Sequence, residues 1–209
     1  MTYRHVLFDI DGTLIDTEQM LITVFSDVLR RHYQRELTID TFHSTFGLPC
    51  DVALRTIGLE PNQTVMDEIQ QGIHRSLGLV RMFPGVDTLI RELHEFGLVL
   101  GLVTSKNRRE FQSSFVPFGL TPYFSLSVCS DDTTRGKPYP DPILYYLARQ
   151  DAAPEETVYI GDTAFDCQCA ERAGVDFILA AWGSTAPDMA SYSPAARSTA
   201  YLQKLLIGR

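Results

Sequence analysis

The stretch VLFDIDGTLIDTE, from Val6 to Glu18, places two acids at the end of an apolar run. The apolar residues predict a buried strand, and Asp9 and Asp11 follow it where a carboxylate is costly to desolvate. Two interpretations are open. The acids are turn residues that cap the next helix, or they hold a metal ion and do chemistry. The pattern of the remaining chain discriminates between them.

Apolar runs typical of strands alternate with amphipathic segments along most of the chain. This alternation predicts an α/β fold, a Rossmann-like three-layer core with a parallel sheet, in which ligands bind at the carboxyl ends of the strands. The predicted strands are His5–Phe8, Leu98–Val103, Phe124–Val128, Val158–Ile160 and Phe177–Ala180. The predicted helices between them are Val86–Phe96, Arg108–Phe118, Pro140–Gln150 and Asp166–Ala173.

One long segment, residues 16–81, interrupts the alternation. It contains no good strand, but Thr17–His32 and Val65–Leu77 each show one apolar helical face. We therefore predict a small all-helical cap domain at residues 16–81, inserted into a core formed by residues 1–15 and 82–209. Because the insertion begins beside Asp9 and Asp11, we expect a lid that excludes water during chemistry.

The composition limits the possible partners. The chain has 209 residues, 44% of them hydrophobic, and a net charge of −8. It can fill a core, and it is a poor general binder of nucleic acid or anionic membranes. No segment resembles a signal peptide or a membrane span. We expect a cytoplasmic protein, as a monomer or homodimer. The scattered cysteines favour neither a zinc site nor a disulfide framework.

Further polar groups follow three of the predicted strands. Each group alone has an ordinary explanation, such as a helix cap, a first-turn acid or a surface lysine. Because the carboxyl ends of parallel strands lie at one edge of a sheet, all of them are expected to converge on one crevice with Asp9 and Asp11. The groups are Thr104-Ser105-Lys106, Gly136-Lys137-Pro138, and Gly161-Asp162 with Asp166.

The residue types in this crevice indicate a metal and a phosphate. Three close carboxylates, Asp9, Asp11 and Asp162, would repel one another unless a cation lay among them. A few oxygen ligands with room for water and phosphate suit Mg²⁺. Lys137, Thr104 and free backbone N–H groups would complete a phosphate site. The sequence therefore predicts a Mg²⁺ cofactor and a small phosphorylated metabolite as partner.

These motifs, in this order, resemble those of the haloacid dehalogenase-like superfamily over nearly the whole chain. The resemblance is to its phosphatase branch with a small helical C1 cap, and above all to phosphoglycolate phosphatases and their pyrophosphatase relatives. The motifs are Asp9-Ile-Asp11-Gly-Thr-Leu, Thr104-Ser-Lys, Gly136-Lys137-Pro-Tyr-Pro-Asp and Gly161-Asp162-Thr-Ala-Phe-Asp166.

The resemblance implies catalytic roles. Asp9 would attack phosphorus and form an aspartyl phosphate. Asp11 would protonate the leaving oxygen and then deprotonate the hydrolytic water. Lys137 would neutralise the charge on Asp9 and the phosphate, and Asp166 would orient Lys137 or the water shell of the metal.

The resemblance also implies ligand contacts. Mg²⁺ would bind the Asp9 carboxylate, the backbone carbonyl of Asp11 and Asp162, with Asp166 beside them. The residues expected to bind substrate lie on core loops and on the cap. They are Gly12, Thr17, Glu18, Phe46, Gly47, Thr104 and Ser105. The uncharged turn Phe46–Pro49 favours a small phosphomonoester, phosphoglycolate first, with pyrophosphate or a nucleotide monophosphate as alternatives.

Three other functions use related residues. Dehalogenases of the superfamily lack the second acid, Asp11. Phosphosugar mutases carry a histidine near position 20, where this chain has Met20, and a basic residue after the cap-turn glycine, where it has Leu48. A receiver-type signalling domain also combines a phospho-accepting Asp with Thr, Lys and Mg²⁺. Its acceptor is not expected on the first strand, two residues before another acid, nor under a helical cap.

Overall fold

The computed structural model describes residues 3–184, 192 and 194–208, so residues 1, 2, 185–191, 193 and 209 of the predicted core lie outside the described residues. The strands are β1 (His5–Phe8), β2 (Ile15–Asp16), β3 (Arg81–Met82), β4 (Val99–Val103), β5 (Phe124–Val128), β6 (Thr157–Gly161), β7 (Asp176–Ala180) and β8 (Ala195–Ala196). Six of them form one parallel sheet in the order β5-β4-β1-β6-β7-β8. The predicted parallel sheet is confirmed.

Strand β1 lies in the middle of this sheet, hydrogen-bonded to β4 on one side and to β6 on the other. All its residues are buried. Val6 and Phe8 pack into one hydrophobic cluster and Leu7 into another, because successive side chains of a strand point to opposite faces. The loop that follows β1 is therefore held at the centre of the carboxyl edge.

Helices cover both faces of the sheet. They are α1 (Glu18–Tyr33), α2 (Ile39–His43), α3 (Cys50–Thr56), α4 (Gln63–Ser76), α5 (Val86–Glu95), α6 (Arg108–Ser114), α7 (Asp141–Gln150), α8 (Ala164–Ala173) and α9 (Thr199–Ile207). Helices α5, α6 and α9 pack on the Val6 face, and α7 and α8 on the Leu7 face. The three-layer core is therefore confirmed. Among the described residues, no helix is long and apolar enough to span a bilayer.

One predicted helix is wrong in its second half. The segment Arg108–Phe118 was expected to be continuous, but α6 ends at Ser114 and a separate 3₁₀ turn follows at Val116–Phe118. Pro117 explains the break, because it has no N–H to donate and its ring clashes with the preceding helical turn.

The segment of residues 16–81 holds helices α1 to α4, and we call it the cap. Its division from the core at these positions stays a prediction. The sequence missed one feature at its ends. Strands β2 and β3 pair antiparallel, with Ile15 opposite Met82 and Asp16 opposite Arg81. Strands of two residues have no periodicity that a sequence pattern could show.

Candidate active site

The predicted polar groups meet at the carboxyl edge of the sheet. Asp9 directly follows β1, Thr104 follows β4 and Asp162 follows β6. These strands are neighbours in the sheet, with β1 in the middle. All three side chains are buried, so they face the interior of the molecule and not open solvent.

Lys137 joins two buried carboxylates. Its Nζ lies 2.8 Å from Oδ1 of Asp9 and 2.6 Å from Oδ1 of Asp166, and none of these side chains is more than 2% exposed. Burial raises the pKa of Asp9 to about 7, even though Lys137 opposes the shift. Burial favours neutral Lys137, but the attraction of Asp166 and Asp9 outweighs it and raises the pKa of the ammonium group. Lys137 is therefore a fixed positive charge beside Asp9.

Asp166 uses both of its oxygens to hold this lysine in place. Its Oδ1 also accepts a hydrogen bond of 2.9 Å from the Tyr159 hydroxyl. Its Oδ2 accepts bonds from the backbone N–H and the hydroxyl of Thr163, at 3.0 and 2.6 Å. The bond from the Thr163 backbone N–H is part of the capping box of α8. The sequence left two roles open for Asp166, to orient Lys137 or to orient the water shell of the metal. This geometry favours the first. Tyr159 is a site residue that the sequence reasoning missed, because it lies inside a strand.

A divalent cation fits beside these acids. Asp9, Asp162 and Asp166 are buried and each offers a carboxylate oxygen, all within 4.8 Å of one another. Burial, followed by the charges of Asp166 and Asp9, raises the pKa of Asp162 well above its usual range. Such a group of acids is stabilised by a cation, and its all-oxygen donors suit a hard ion.

The Asp11 carboxylate has partners outside this cluster, and Asp11 lines a small cavity together with Asp9. Its Oδ1 accepts a bond of 2.8 Å from the Thr17 hydroxyl and lies 2.9 Å from Nζ of Lys106. Lys106 is buried, which disfavours its charge, but Asp11 reverses this effect and raises the pKa of Lys106. The sequence showed Lys106 within Thr104-Ser105-Lys106 but gave it no role. The structure makes it the ionic partner of Asp11.

The cap closes over Asp9 and Asp11. The Ser105 hydroxyl donates a bond of 2.6 Å to the backbone carbonyl of Gly47, in the turn between α2 and α3. The cavity at this contact is partly open and has a volume of about 50 Å³. The sequence-predicted residues that line it are Asp9, Asp11, Phe46, Gly47 and Ser105, and Leu48 lines it as well.

Other predicted substrate residues lie beside the cavity without lining it. Thr17 is buried against Asp11, and the Thr104 hydroxyl accepts a bond from the backbone N–H of Lys106. Glu18 is directed elsewhere, because its carboxylate lies 2.9 Å from Nε2 of His43 within the cap. The nearness of Glu18 to the motif in sequence did not show this partner, which is 25 residues further along the chain.

Gly12 lies against a proposed metal ligand. It has a φ of +75°, and a Cβ added there would lie 2.1 Å from Oδ2 of Asp162. On the other side, the Thr13 hydroxyl donates a bond of 3.0 Å to Oδ1 of Asp162. The prediction that Gly12 binds substrate stays untested, but its place in the structure shows that it makes room for the Asp162 carboxylate.

Replacement of Gly12 by Ala should therefore weaken metal binding as well as stability. The control is Gly119→Ala, because Gly119 has the same φ of +75° and open space around its Cβ. We expect Gly119→Ala to lower the free energy of unfolding by about 1–2 kcal/mol, the cost of a left-handed backbone. Gly12→Ala should cost more, and Mg²⁺ titration of its thermal stability should show a higher half-saturating concentration. Equal behaviour of the two variants would contradict this role.

Comparisons with known proteins were consistent with this geometry. The family model of the haloacid dehalogenase-like hydrolases matches residues 6–180. Pyrophosphatase PpaX of Anoxybacillus flavithermus is 30% identical over 196 residues, which cover 93% of this chain and 91% of that protein. Phosphoglycolate phosphatase of Rhodobacter capsulatus is 30% identical over 83% of this chain and 82% of its own length.

A solved structure shares the whole architecture. It comes from Lactobacillus plantarum, where it has been assigned as a phosphoglycolate phosphatase. It superposes with a TM-score of 0.88 at 29% identity, over 98% of this chain and all of the other. At this coverage the similarity includes both the sheet and the cap segment.

Proposed function

Since this chain belongs to the haloacid dehalogenase-like hydrolase family, we propose that it is a metal-dependent phosphatase that hydrolyses a small phosphomonoester through an aspartyl phosphate on Asp9. The observation that carries the proposal is the buried Asp9–Lys137–Asp166 arrangement beside a small cavity. A carboxylate that is already paired with a fixed cation can approach an anionic phosphoryl group without uncompensated repulsion.

The chain's own residues supply each step. Lys137 holds Oδ1 of Asp9, and Oδ2 makes no hydrogen bond or ion pair with a described residue, which leaves it to attack phosphorus. Asp11 lines the same cavity and would give a proton to the leaving oxygen, then take one from the attacking water. Lys106 and Thr17 fix the orientation of its carboxylate.

Mg²⁺ is the cofactor that we propose, held by Asp9 and Asp162 with the backbone carbonyl of Asp11. When bound, the ion would neutralise negative charge on the transferring phosphoryl group. Asp166 would act through Lys137, since its oxygens already accept bonds from Lys137, Tyr159 and Thr163. The proposed substrate is phosphoglycolate or a compound like it. Pyrophosphate is the second candidate, because relatives of equal identity are named as pyrophosphatases.

The test is phosphate release from a panel of compounds, with Mg²⁺ and with EDTA. The panel contains phosphoglycolate, pyrophosphate, sugar phosphates and nucleotide monophosphates. We expect Mg²⁺-dependent turnover that is fastest with phosphoglycolate. Faster turnover of pyrophosphate would identify pyrophosphate as the substrate and leave the proposed reaction mechanism unchanged. Absence of release from every compound, together with a stable phosphorylated protein, would favour the receiver-type function instead.

The pH dependence of metal binding should follow the pKa of Asp9. In the metal-free protein this pKa is about 7, above the value of about 4 for an unfolded chain. The folded state therefore holds the proton more tightly, and this contribution to stability is lost as the pH rises from about 4 to about 7. Mg²⁺ must displace that proton. We expect Mg²⁺ to raise the Tm more at about pH 8 than at about pH 5.5; calorimetry showing the opposite order would contradict the assignment.

A further inference from the structure

A second, larger cavity adjoins the active site. It is an open cleft of about 410 Å³ between helix α4 of the cap and helix α6 of the core. Ile73 lines both this cleft and the inner cavity. The side chains of Gln70 and Glu110 contact each other across the boundary, where Gln70 faces the cleft and Glu110 faces the inner cavity. Only side chains therefore separate the two spaces.

The cleft carries unused positive charge in an acidic protein. Arg75 reaches it from the cap and Arg109 from the core, and both are exposed. Neither makes a hydrogen bond or an ion pair with any described residue. The acid that lines the cleft, Asp67, accepts a bond of 2.9 Å from Gln63 and is not paired with either arginine. Two arginines in one cleft without an acidic partner among the described residues are therefore available to an anion.

The inner cavity needs such an extension. Its volume of about 50 Å³ is small beside the 410 Å³ of the cleft. A phosphoryl group at Asp9 would take up much of this space. The leaving group has to extend beyond it, and the cleft next to Ile73 is open to receive it.

We propose that this cleft binds an oxyanion, a carboxylate or a phosphate, carried by the leaving group of the substrate, between Arg75 and Arg109. The inference rests on the proposed phosphatase function and defines its substrate class, organic phosphates with a second anionic group. A guanidinium group presents paired N–H donors that match the two oxygens of such a group. Because one arginine belongs to the cap and the other to the core, the bound anion also holds the cap closed.

The test compares two substrates with the same carbon skeleton, 3-phosphoglycerate and glycerol 3-phosphate, which differ by a carboxylate and a hydroxymethyl group. We expect the wild type to prefer 3-phosphoglycerate in kcat/KM. Arg75→Gln and Arg109→Gln should each reduce this preference about tenfold, the effect of losing one charge-assisted hydrogen bond, and mainly through KM. Arg75→Lys should recover part of it. The control is Arg91→Gln, since Arg91 is exposed but pairs with Asp87 on α5, and it should keep the wild-type preference.

A second experiment tests whether the cleft binds a free anion from solution. The turnover of p-nitrophenyl phosphate is measured with increasing malonate, in the wild type and in both arginine variants. A malonate effect that the variants abolish, with no preference between the two substrates, would support the oxyanion site and overturn its role for the leaving group. A preference that survives in both variants, or no preference and no malonate effect, would overturn the proposal.

Failure of the proposed function is recognised separately. It would appear as no metal-dependent turnover of p-nitrophenyl phosphate or any other compound. In that case, the binding of 3-phosphoglycerate and glycerol 3-phosphate to the wild type and to Arg75→Gln, measured by calorimetry, tests whether the cleft binds an oxyanion. Tighter binding of 3-phosphoglycerate that depends on Arg75 supports the site, and equal binding of both compounds overturns it.

Discussion

A protein with Asp9→Asn should release phosphate at least about 10⁴-fold more slowly than the wild type, since loss of a catalytic nucleophile has effects of this size. Asparagine keeps the shape of the side chain but cannot form an acyl phosphate. The fold should persist, because Lys137 retains its contact of 2.6 Å with Asp166. The measurement is the initial rate of phosphate release with saturating Mg²⁺, beside the Tm of each protein.

The matched control for this variant is Asp87→Asn. Asp87 is half-exposed on helix α5 and pairs with Arg91, so the same chemical change there should leave turnover unaltered. Mass spectrometry of wild-type protein quenched during turnover should show one added phosphoryl group, absent from Asp9→Asn. Activity of Asp9→Asn within tenfold of the wild type would rule out the nucleophile assignment.

Lys137→Met should lose both activity and stability. The substitution leaves two carboxylates, Asp9 and Asp166, buried without their cation. Removing one partner of a buried ion pair typically costs about 3–5 kcal/mol. We expect a fall of this size in the free energy of unfolding, measured with urea in EDTA at about pH 8, where Asp9 of the wild type is ionised. The exposed pair Arg91–Asp87 gives the comparison, since Arg91→Met should cost less than about 1 kcal/mol.

A double variant separates the loss of activity from the loss of stability. Lys137→Met with Asp166→Asn removes one of the two uncompensated charges, so it should be more stable than Lys137→Met alone. It should remain inactive, because no cation faces Asp9. If Lys137→Met unfolds no more easily than Arg91→Met, the Lys137 contacts do not stabilise the fold as the geometry indicates.

The positions of the main site residues followed from the topology alone. Parallel strands bring their carboxyl ends to one edge, so Asp9, Thr104 and Asp162 could be placed together once the strands were recognised. Tyr159 could not be found in this way, because a tyrosine inside a strand is usually a core residue. The Tyr159 hydroxyl contacts Asp166 because the side chain of Tyr159 projects from β6 towards that carboxylate.

The contacts between cap and core could not be predicted from the sequence pattern either. Lys106 pairs with Asp11 and Ser105 binds the Gly47 carbonyl, and both contacts depend on how the inserted helices lie over the sheet. Glu18 was assigned to the substrate because it follows the first motif, but the fold of the cap places it against His43. Long-range partners of this kind require the three-dimensional arrangement.

The ribbon of β2 and β3 joins the two ends of the cap. Ile15 and Met82 are paired neighbours, so the two ends of the cap are only about 5 Å apart, the spacing of adjacent strands. A short turn between them would close the chain without moving β1 or the nucleophile that follows it. We therefore expect residues 16–81 to be exchangeable for caps of related proteins that keep the contact of Thr17 with Asp11.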